Sequence, residues 1–308
     1  MRLIRGLHNL HPDHHGSAVT IGNFDGLHRG HQAVIEQLHR HAAAHGLMTT
    51  VMTFEPTPQE YFAPDTAPPR LQRLRDKLAL LRSLAVDQTL CLRFNRALAG
   101  LSAAEFVERI LVRGLDVRFL VVGDDFRFGK GRTGDFAFLQ EAGRRGGFEV
   151  VNTRTFFHGE DRVSSTRIRE ALAAGDLQAA QGMLGRPYRI CGRVGTGQQR
   201  GRTIGFHTAN IRLHRLASPV CGVFAVRVFG LGESPVNGVA NVGTRPTVDG
   251  SYTVLEVHLF DFDQDIYGRY LDVEFCKKLR DERKFESFEL LRRQITLDAE
   301  QARRYFSE

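Results

Sequence analysis

The chain has 308 residues, 42% hydrophobic and 25% charged, the balance of a globular protein with room for one large or two medium domains. Its net charge of +7 is spread, +3 over residues 1–184 and +4 over residues 185–308, which excludes a basic tail and suits small polyanionic substrates as well as nucleic acid. No apolar run has membrane-spanning length and the N-terminus lacks a signal-peptide core. Four cysteines (Cys91, Cys191, Cys221, Cys276) without metal-ligand spacing predict reduced thiols in a cytoplasmic protein with no zinc.

The first clear strand signal, residues 17–22, runs into Gly22-Asn23-Phe24-Asp25-Gly26-Leu27-His28-Arg29-Gly30-His31-Gln32. Residues 32–45 then have helical spacing, with Val34, Ile35 and Leu38 on one side. His28 and His31 therefore fall at a helix N-terminus, where unpaired backbone N–H groups and the helix dipole favour an anion. Gly26 and Gly30 let the backbone approach a ligand closely, and the imidazoles add donors. Such a site suits transfer at a phosphate, where negative charge spreads onto oxygens and a leaving pyrophosphate. His39, His41 and His45, further along without a glycine turn, read as solvated helix positions.

Strand signals at residues 47–54, 88–92, 117–123 and 148–151 alternate with helix patterns at 70–84, 103–112 and 136–145, the second opened by a Ser102/Glu105 capping box. This alternation predicts an α/β domain with a Rossmann-like parallel sheet, helices on both faces and ligands beyond the carboxyl ends of the strands. The histidine loop and Gly123-Asp124-Asp125-Phe126-Arg127-Phe128-Gly129 both follow strands and are expected to open onto one crevice. Ser164-Ser165-Thr166 opens a helix that stops at Gly175; from pattern alone it is either an ordinary N-cap or, with Arg169, an anion site. A further helix over 176–184 leads to Gly185-Arg186-Pro187, the expected seam between domains 1–184 and 185–308.

Beyond it the period changes. Short strand signals at 188–194, 222–229, 236–242, 252–260 and 270–275, then an amphipathic helix over 287–306, predict a closed antiparallel β-barrel with a C-terminal helix. Gly195-x-Gly197 through Gly201-Arg202 forms a basic, glycine-rich loop able to wrap a triphosphate. Glu256 stands between Leu255 and Val257, which leaves its carboxylate either on the solvated sheet face or directed inward.

The three first-half segments, Gly22 to Gln32, Gly123 to Gly129 and Ser164-Ser165-Thr166-x-Ile168-Arg169, resemble the adenylyltransferase half of the prokaryotic bifunctional riboflavin kinase/FAD synthetase family. Gly192-Arg193-Val194, Gly201-Arg202-Thr203-Ile204-Gly205-Phe206-His207-Thr208-Ala209-Asn210, Asn241-Val242-Gly243-Thr244-Arg245-Pro246-Thr247 and Leu255-Glu256-Val257-His258-Leu259 resemble its kinase half. The resemblance implies a nucleotidyltransferase domain and a six-stranded kinase barrel that make FMN from riboflavin and then FAD, with ATP and Mg²⁺. It implies nucleotide or flavin contacts at Gly22, Asn23, Phe24, Asp25, Gly30, Asp125, Phe126 and Phe128, with His28 and His31 on ATP phosphates. It also implies pyrophosphate held by Ser164, Ser165, Thr166 and Arg169, phosphate contacts at Gly195, Gly201, Arg202 and Thr208, Mg²⁺ at Thr208 and Asn210, and Glu256 as the base. The partners so implied are small molecules, with no nucleic acid and no membrane, and self-association is left open.

In two places the chain departs from the family pattern: His207 stands where proline is usual, and Thr57 where histidine is frequent. A transferase acting on another phosphorylated substrate, with the barrel as a flavin-binding regulatory module, is the competing enzyme reading. An aminoacyl-tRNA synthetase would need a lysine-rich second signature and an anticodon-binding region, and an RNA-binding protein would need clustered cations with exposed aromatics.

Overall fold

β2, Ser17–Ile21, is buried along its whole length, and its residues alternate between two apolar clusters. Ala18 packs with Leu38, Ala42, Phe119 and Val121, whereas Val19 and Ile21 pack with Met52, Leu120, Val122, Ile110 and Leu139. A strand buried on both faces requires helices on both sides of the sheet. The computed structural model describes residues 1–123, 125–153, 156–158, 161–195, 208–213, 217–247 and 250–308, apart from the side chains of 158, 161, 212 and 244–252.

The chain divides into two compact units, one of residues 1–68 and 73–163, the other of residues 69–72 and 164–308. In the first, a six-stranded sheet is built from β1 (Arg2–Arg5), β2, β3 (Met48–Glu55), β4 (Gln88–Arg93), β5 (Phe119–Gly123) and β6 (Glu149–Thr153). All pairings are parallel, in the order β1-β4-β3-β2-β5-β6. The chain runs outward from β2 through β3 to β4, then returns to β5 on the opposite side of β2. The carboxyl ends of β2 and β5 therefore flank the switch point, the place where open α/β sheets bind ligands.

Helices α1 (Arg29–His45), α2 (Pro58–Phe62), α3 (Leu74–Ser83), α4 (Arg96–Ala99), α5 (Ala103–Phe106) and α6 (Phe136–Gly146) connect the strands. The chain stays helical past α5 to Val112 but widens, with the Arg113 N–H reaching Glu108 O at 2.9 Å, five residues back. Thr57, at one of the two departures, caps α2 reciprocally: its Oγ1 accepts the Glu60 N–H and its own N–H reaches Glu60 Oε2 at 2.9 Å. His39 and His41, expected to be solvated, are half-buried instead. A ring nitrogen of His39 lies 2.8 Å from Leu84 O, and His41 stacks on Phe119 with centroids 4.0 Å apart. A short hairpin, β7 (Phe157–His158) with β8 (Asp161–Arg162), ends this unit.

The second unit opens with α7 (Ser165–Ala174) and α8 (Leu177–Leu184) and then closes a barrel. Its strands are β9 (Arg189–Gly195), β10 (Thr208–Arg212), β11 (Gly222–Phe229), β12 (Val236–Thr247), β13 (Gly250–Leu259) and β14 (Tyr270–Arg280), ordered β10-β13-β12-β11-β14-β9. Five of the six carry the strand signals read from the sequence; β10 is the addition. Ile190, Phe224, Val226, Val228, Leu255, Val257 and Val273 are fully buried and fill the interior. Outside, α9 (Phe288–Ser307) lays Ala299 and Ala302 on Val223, Ala225, Val239 and Phe260. Arg280 Nη2 to Asp298 Oδ2 at 2.7 Å anchors that helix.

Residues 69–72 form a strap that belongs to this unit. Arg169 Nε donates to Pro69 O at 2.7 Å, and the buried Tyr188 hydroxyl donates to Leu71 O at 3.1 Å. Leu71 itself is buried.

Candidate active sites

The first constellation grows from the end of β2. After Ile21 the chain takes left-handed backbone at Phe24 (φ 47°), Gly26 (φ 87°) and Leu27 (φ 39°). Such a φ costs a non-glycine residue roughly 1–3 kcal/mol. Burying a Phe or Leu side chain returns about the same, roughly 1.5–3 kcal/mol, and Phe24 and Leu27 are both buried in the cluster with Ile35 and Leu81. Gly26 fits because it has no Cβ.

His28 is the N-cap of α1: its Nδ1 accepts the His31 N–H at 3.3 Å. A ring nitrogen that accepts is unprotonated, so in the neutral ring the proton sits on Nε2, which can donate. The His31 ring stacks on that of His28, centroids 3.7 Å apart and planes 17° apart, with Phe24 at 5.1 Å on another side. A Cβ on Gly30 would come within 3.2 Å of the His28 ring, so glycine there lets the helix start run close beneath the imidazole. His31 Nδ1 is buried and has no hydrogen-bond partner among the described residues. Burial first, then His28 and Lys77, hold the His31 imidazole well below its ordinary value near 6.5, so it is uncharged at neutral pH. An uncharged His31 ring therefore lies beside the helix N–H groups at the start of α1.

Beneath the loop lies a residue that sequence reasoning missed. Lys77 on α3 is only 3% exposed, and its Nζ donates to the Asn23 carbonyl at 2.6 Å, with Thr53 Oγ1 at 3.5 Å. A lysine between Asp76 and Leu78, after Arg73 and Arg75, reads as part of a solvated helix face. Only the tertiary placement of α3 puts it under the turn.

Of the expected contact residues, Gly22, Asn23, Phe24, Asp25, His28, Gly30 and His31 share this one loop and helix start. Asp125 follows β5, the neighbouring strand, and its carboxylate pairs with Arg162 at 2.5 Å at the surface. Phe128 turns into the core, 5.3 Å from the Phe106 ring and 6.0 Å from that of Phe138, with Phe126 stacked on it at 5.6 Å. These aromatics pack the base of the loop. Ser164, Ser165, Thr166 and Arg169 belong to the second unit, where the Ser164 side chain caps α7 by accepting the Arg167 N–H at 3.3 Å and Arg169 holds the strap.

The second constellation is set by register. Asn210 on β10 lies opposite Gly195 on one side and Glu256 on the other, and Glu256 lies opposite Asn241 of β12. Directly opposed residues share a face, so Gly195, Asn210, Glu256 and Asn241 form one rung. Leu255 and Val257 are fully buried in the interior. Glu256 is thus on the outer face, half-buried, which resolves the direction that alternation left open. Thr208 opposite His258 makes the next polar rung. Asn241 and His258 are the positions here to which no role was given, although both stand in the quoted motifs. Gly197, Gly201, Arg202 and His207 lie outside the described residues, as does Asp124.

A family model described as FAD synthetase matches residues 10–167, and one described as riboflavin kinase matches residues 184–306. These two matches, one on the parallel sheet with its histidine-capped helix and one on the closed barrel, define a two-module flavin-nucleotide-forming enzyme. Relatives described as bifunctional riboflavin kinase/FMN adenylyltransferase are 52% identical: that of Escherichia coli K12 over 99% of this chain and 98% of its own, that of Haemophilus influenzae Rd over 100% of both. A crystal structure described as a macrolide-efflux protein from Streptococcus pneumoniae is similar in fold, with TM-score 0.82 and 30% identity over 98% of this chain and 99% of that one. The chain belongs to the bifunctional riboflavin kinase/FMN adenylyltransferase family and is an enzyme with both activities. Among the described residues no helix is long and apolar enough to cross a membrane.

Proposed function

We propose that the two activities divide between the modules, with residues 1–184 transferring AMP from ATP to FMN and residues 185–308 phosphorylating riboflavin, in a cytoplasmic enzyme whose partners are small molecules. The observation that carries the kinase assignment is the rung Asn210–Glu256–Asn241 beside Thr208, a carboxylate among neutral hydrogen-bonding groups on a half-buried barrel face.

In the adenylyl step an ionised FMN phosphate oxygen forms a bond to the α-phosphorus of ATP, and the bond to pyrophosphate breaks. The nucleophile is already charged and needs no base. The work left to the protein is positioning and donation to developing negative charge. His28 Nε2–H, His31 and the first turn of α1 supply donors, and Asn23 and Asp125 orient the phosphate or the flavin nucleotide.

The kinase step differs, because the riboflavin 5′-hydroxyl is a weak nucleophile until its proton is accepted. Glu256 takes that proton as the oxygen bonds to the γ-phosphorus and ADP leaves, a contribution on the order of a hundred- to ten-thousand-fold. The Thr208 hydroxyl and the Asn210 side-chain oxygen are hard donors on one strand face, and Asn210 lies opposite the Glu256 carboxylate. That donor set fits Mg²⁺, which takes few protein ligands and completes its shell with water and phosphate. When bound there, Mg²⁺ neutralises charge on the ATP phosphates. Thr208 and Asn210 would hold it, and Gly195 beside Asn210 keeps the strand edge clear of side chains.

The test is Glu256→Gln in the full chain, with both half-reactions followed by chromatography of the flavins. Riboflavin is expected to persist while supplied FMN is still converted to FAD. Undiminished riboflavin phosphorylation would remove Glu256 from the base role.

A further inference from the structure

Lys77 is a buried cation that this mechanism leaves unused. Taking an ammonium out of water is expensive unless hydrogen bonds hold it, so its placement needs a reason. Its Nζ is 2.6 Å from the carbonyl of Asn23, in the middle of the histidine loop. In a planar trans peptide the C=O and the next N–H point in opposite directions. Drawing the Asn23 carbonyl toward Lys77 therefore turns the Phe24 N–H to the far side of the loop. The same stretch carries the left-handed backbone of Phe24, Gly26 and Leu27, a conformation that persists only when its surroundings hold it. A second, independent sign is His31 Nδ1, buried and without a hydrogen-bond partner among the described residues, which marks a polar group arranged for something other than packing.

We propose that Lys77 is a positioning residue for adenylyl transfer: its ammonium fixes the Asn23–Phe24 peptide so that the N–H side of the histidine loop faces the nucleotide phosphates. The proposal rests on assigning this loop to the adenylyl step. Lys77 also acts on His31: its charge, with burial and His28, disfavours the imidazolium. His28 and Lys77 are the charged or titratable groups that act on that ring.

Full-length Lys77→Met, Lys77→Arg and His28→Ala enzymes are compared in both half-reactions. Lys77→Met is expected to lose roughly a hundredfold in kcat for FAD formation from FMN and ATP, as when a fixed donor is lost, while still phosphorylating riboflavin. Removing the positive charge makes His31 easier to protonate, so the acid limb of the adenylyl pH profile moves to higher pH. Lys77→Arg keeps the charge and leaves that limb in place. Its planar fork cannot reproduce the single short bond to Asn23, so kcat falls at least about tenfold. The proposal is overturned if Lys77→Met retains parental FAD formation while His28→Ala loses it, or if its loss comes with an unmoved acid limb. Should Lys77→Met not fold, a Lys77→Arg enzyme with parental kcat overturns it equally. Parental FAD formation by His28→Ala would instead sink the assignment of the loop, and the proposal with it.

Discussion

His28 has two duties that a single substitution confounds. As N-cap its Nδ1 accepts the His31 N–H, and in the proposed adenylyl step its Nε2–H is a donor. His28→Ala removes both. Losing a cap costs roughly 0.5–2 kcal/mol of stability. Losing a donor to a charged transition state costs about 2.7–4 kcal/mol of barrier. At 1.36 kcal/mol per decade, the second alone is a hundred- to thousand-fold fall in rate. His28→Asn separates the two, because asparagine is a good N-cap and cannot reach where the imidazole Nε2 stands. FAD formation from saturating FMN and ATP is expected to fall by two to three decades in both variants, with thermal stability lower in the alanine variant only. Riboflavin phosphorylation on the same preparations is expected to be unchanged. If His28→Asn makes FAD within about threefold of the parent rate, the ring is only a cap and the transition-state argument fails.

Two further expectations concern stability. His31 titrates well below its ordinary value of 6.5 in the folded chain, so on acidification the unfolded chain takes up its proton first. Its contribution is complete above that ordinary value and is lost as the pH falls below it; urea midpoints at neutral and mildly acidic pH should show this fall, and one equally steep in His31→Asn would refute the attribution. A fragment of residues 185–308 is expected to phosphorylate riboflavin but to melt several degrees below the kinase unit of the full chain, because it lacks α7, α8 and the strap, whose Leu71 carbonyl accepts the Tyr188 hydroxyl. An unpaired buried hydroxyl costs roughly 1–3 kcal/mol, and identical melting by a riboflavin-binding signal would contradict the role given to the strap.

The strongest local signals were legible in the sequence. Residues 17–45 announced strand, glycine turn and helix because period and turn chemistry agree there, and the structure has β2, the left-handed loop and α1 in that place. β1 was missed because a four-residue edge strand with one inward apolar residue, Ile4, has too little pattern to read. β10 was missed because its five residues, Thr208 to Arg212, include only two apolar side chains, Ala209 and Ile211, too short a pattern to read. The direction of Glu256 could not come from alternation, which marks two faces without naming the inner one; the buried neighbours Leu255 and Val257 decide it. Lys77 was illegible for a deeper reason. Its partner is a backbone carbonyl fifty-four residues away, which no side-chain spacing encodes. Phe128, read by resemblance as a ligand contact, is buried against the Phe106 and Phe138 rings, a packing that the motif alone does not reveal.

The strap of residues 69–72 bears on how such a chain could be recombined. Because the second unit draws four residues from within the sequence of the first, no single crossover in the gene separates them cleanly. A chimera joined at a single junction between residues 163 and 164 keeps Pro69 and Leu71 but loses Arg169 and Tyr188, which donate to their carbonyls. A working exchange has to carry both pieces, or redesign the four residues for their new host. The two catalysts are linked in tandem, but their inheritance is interleaved.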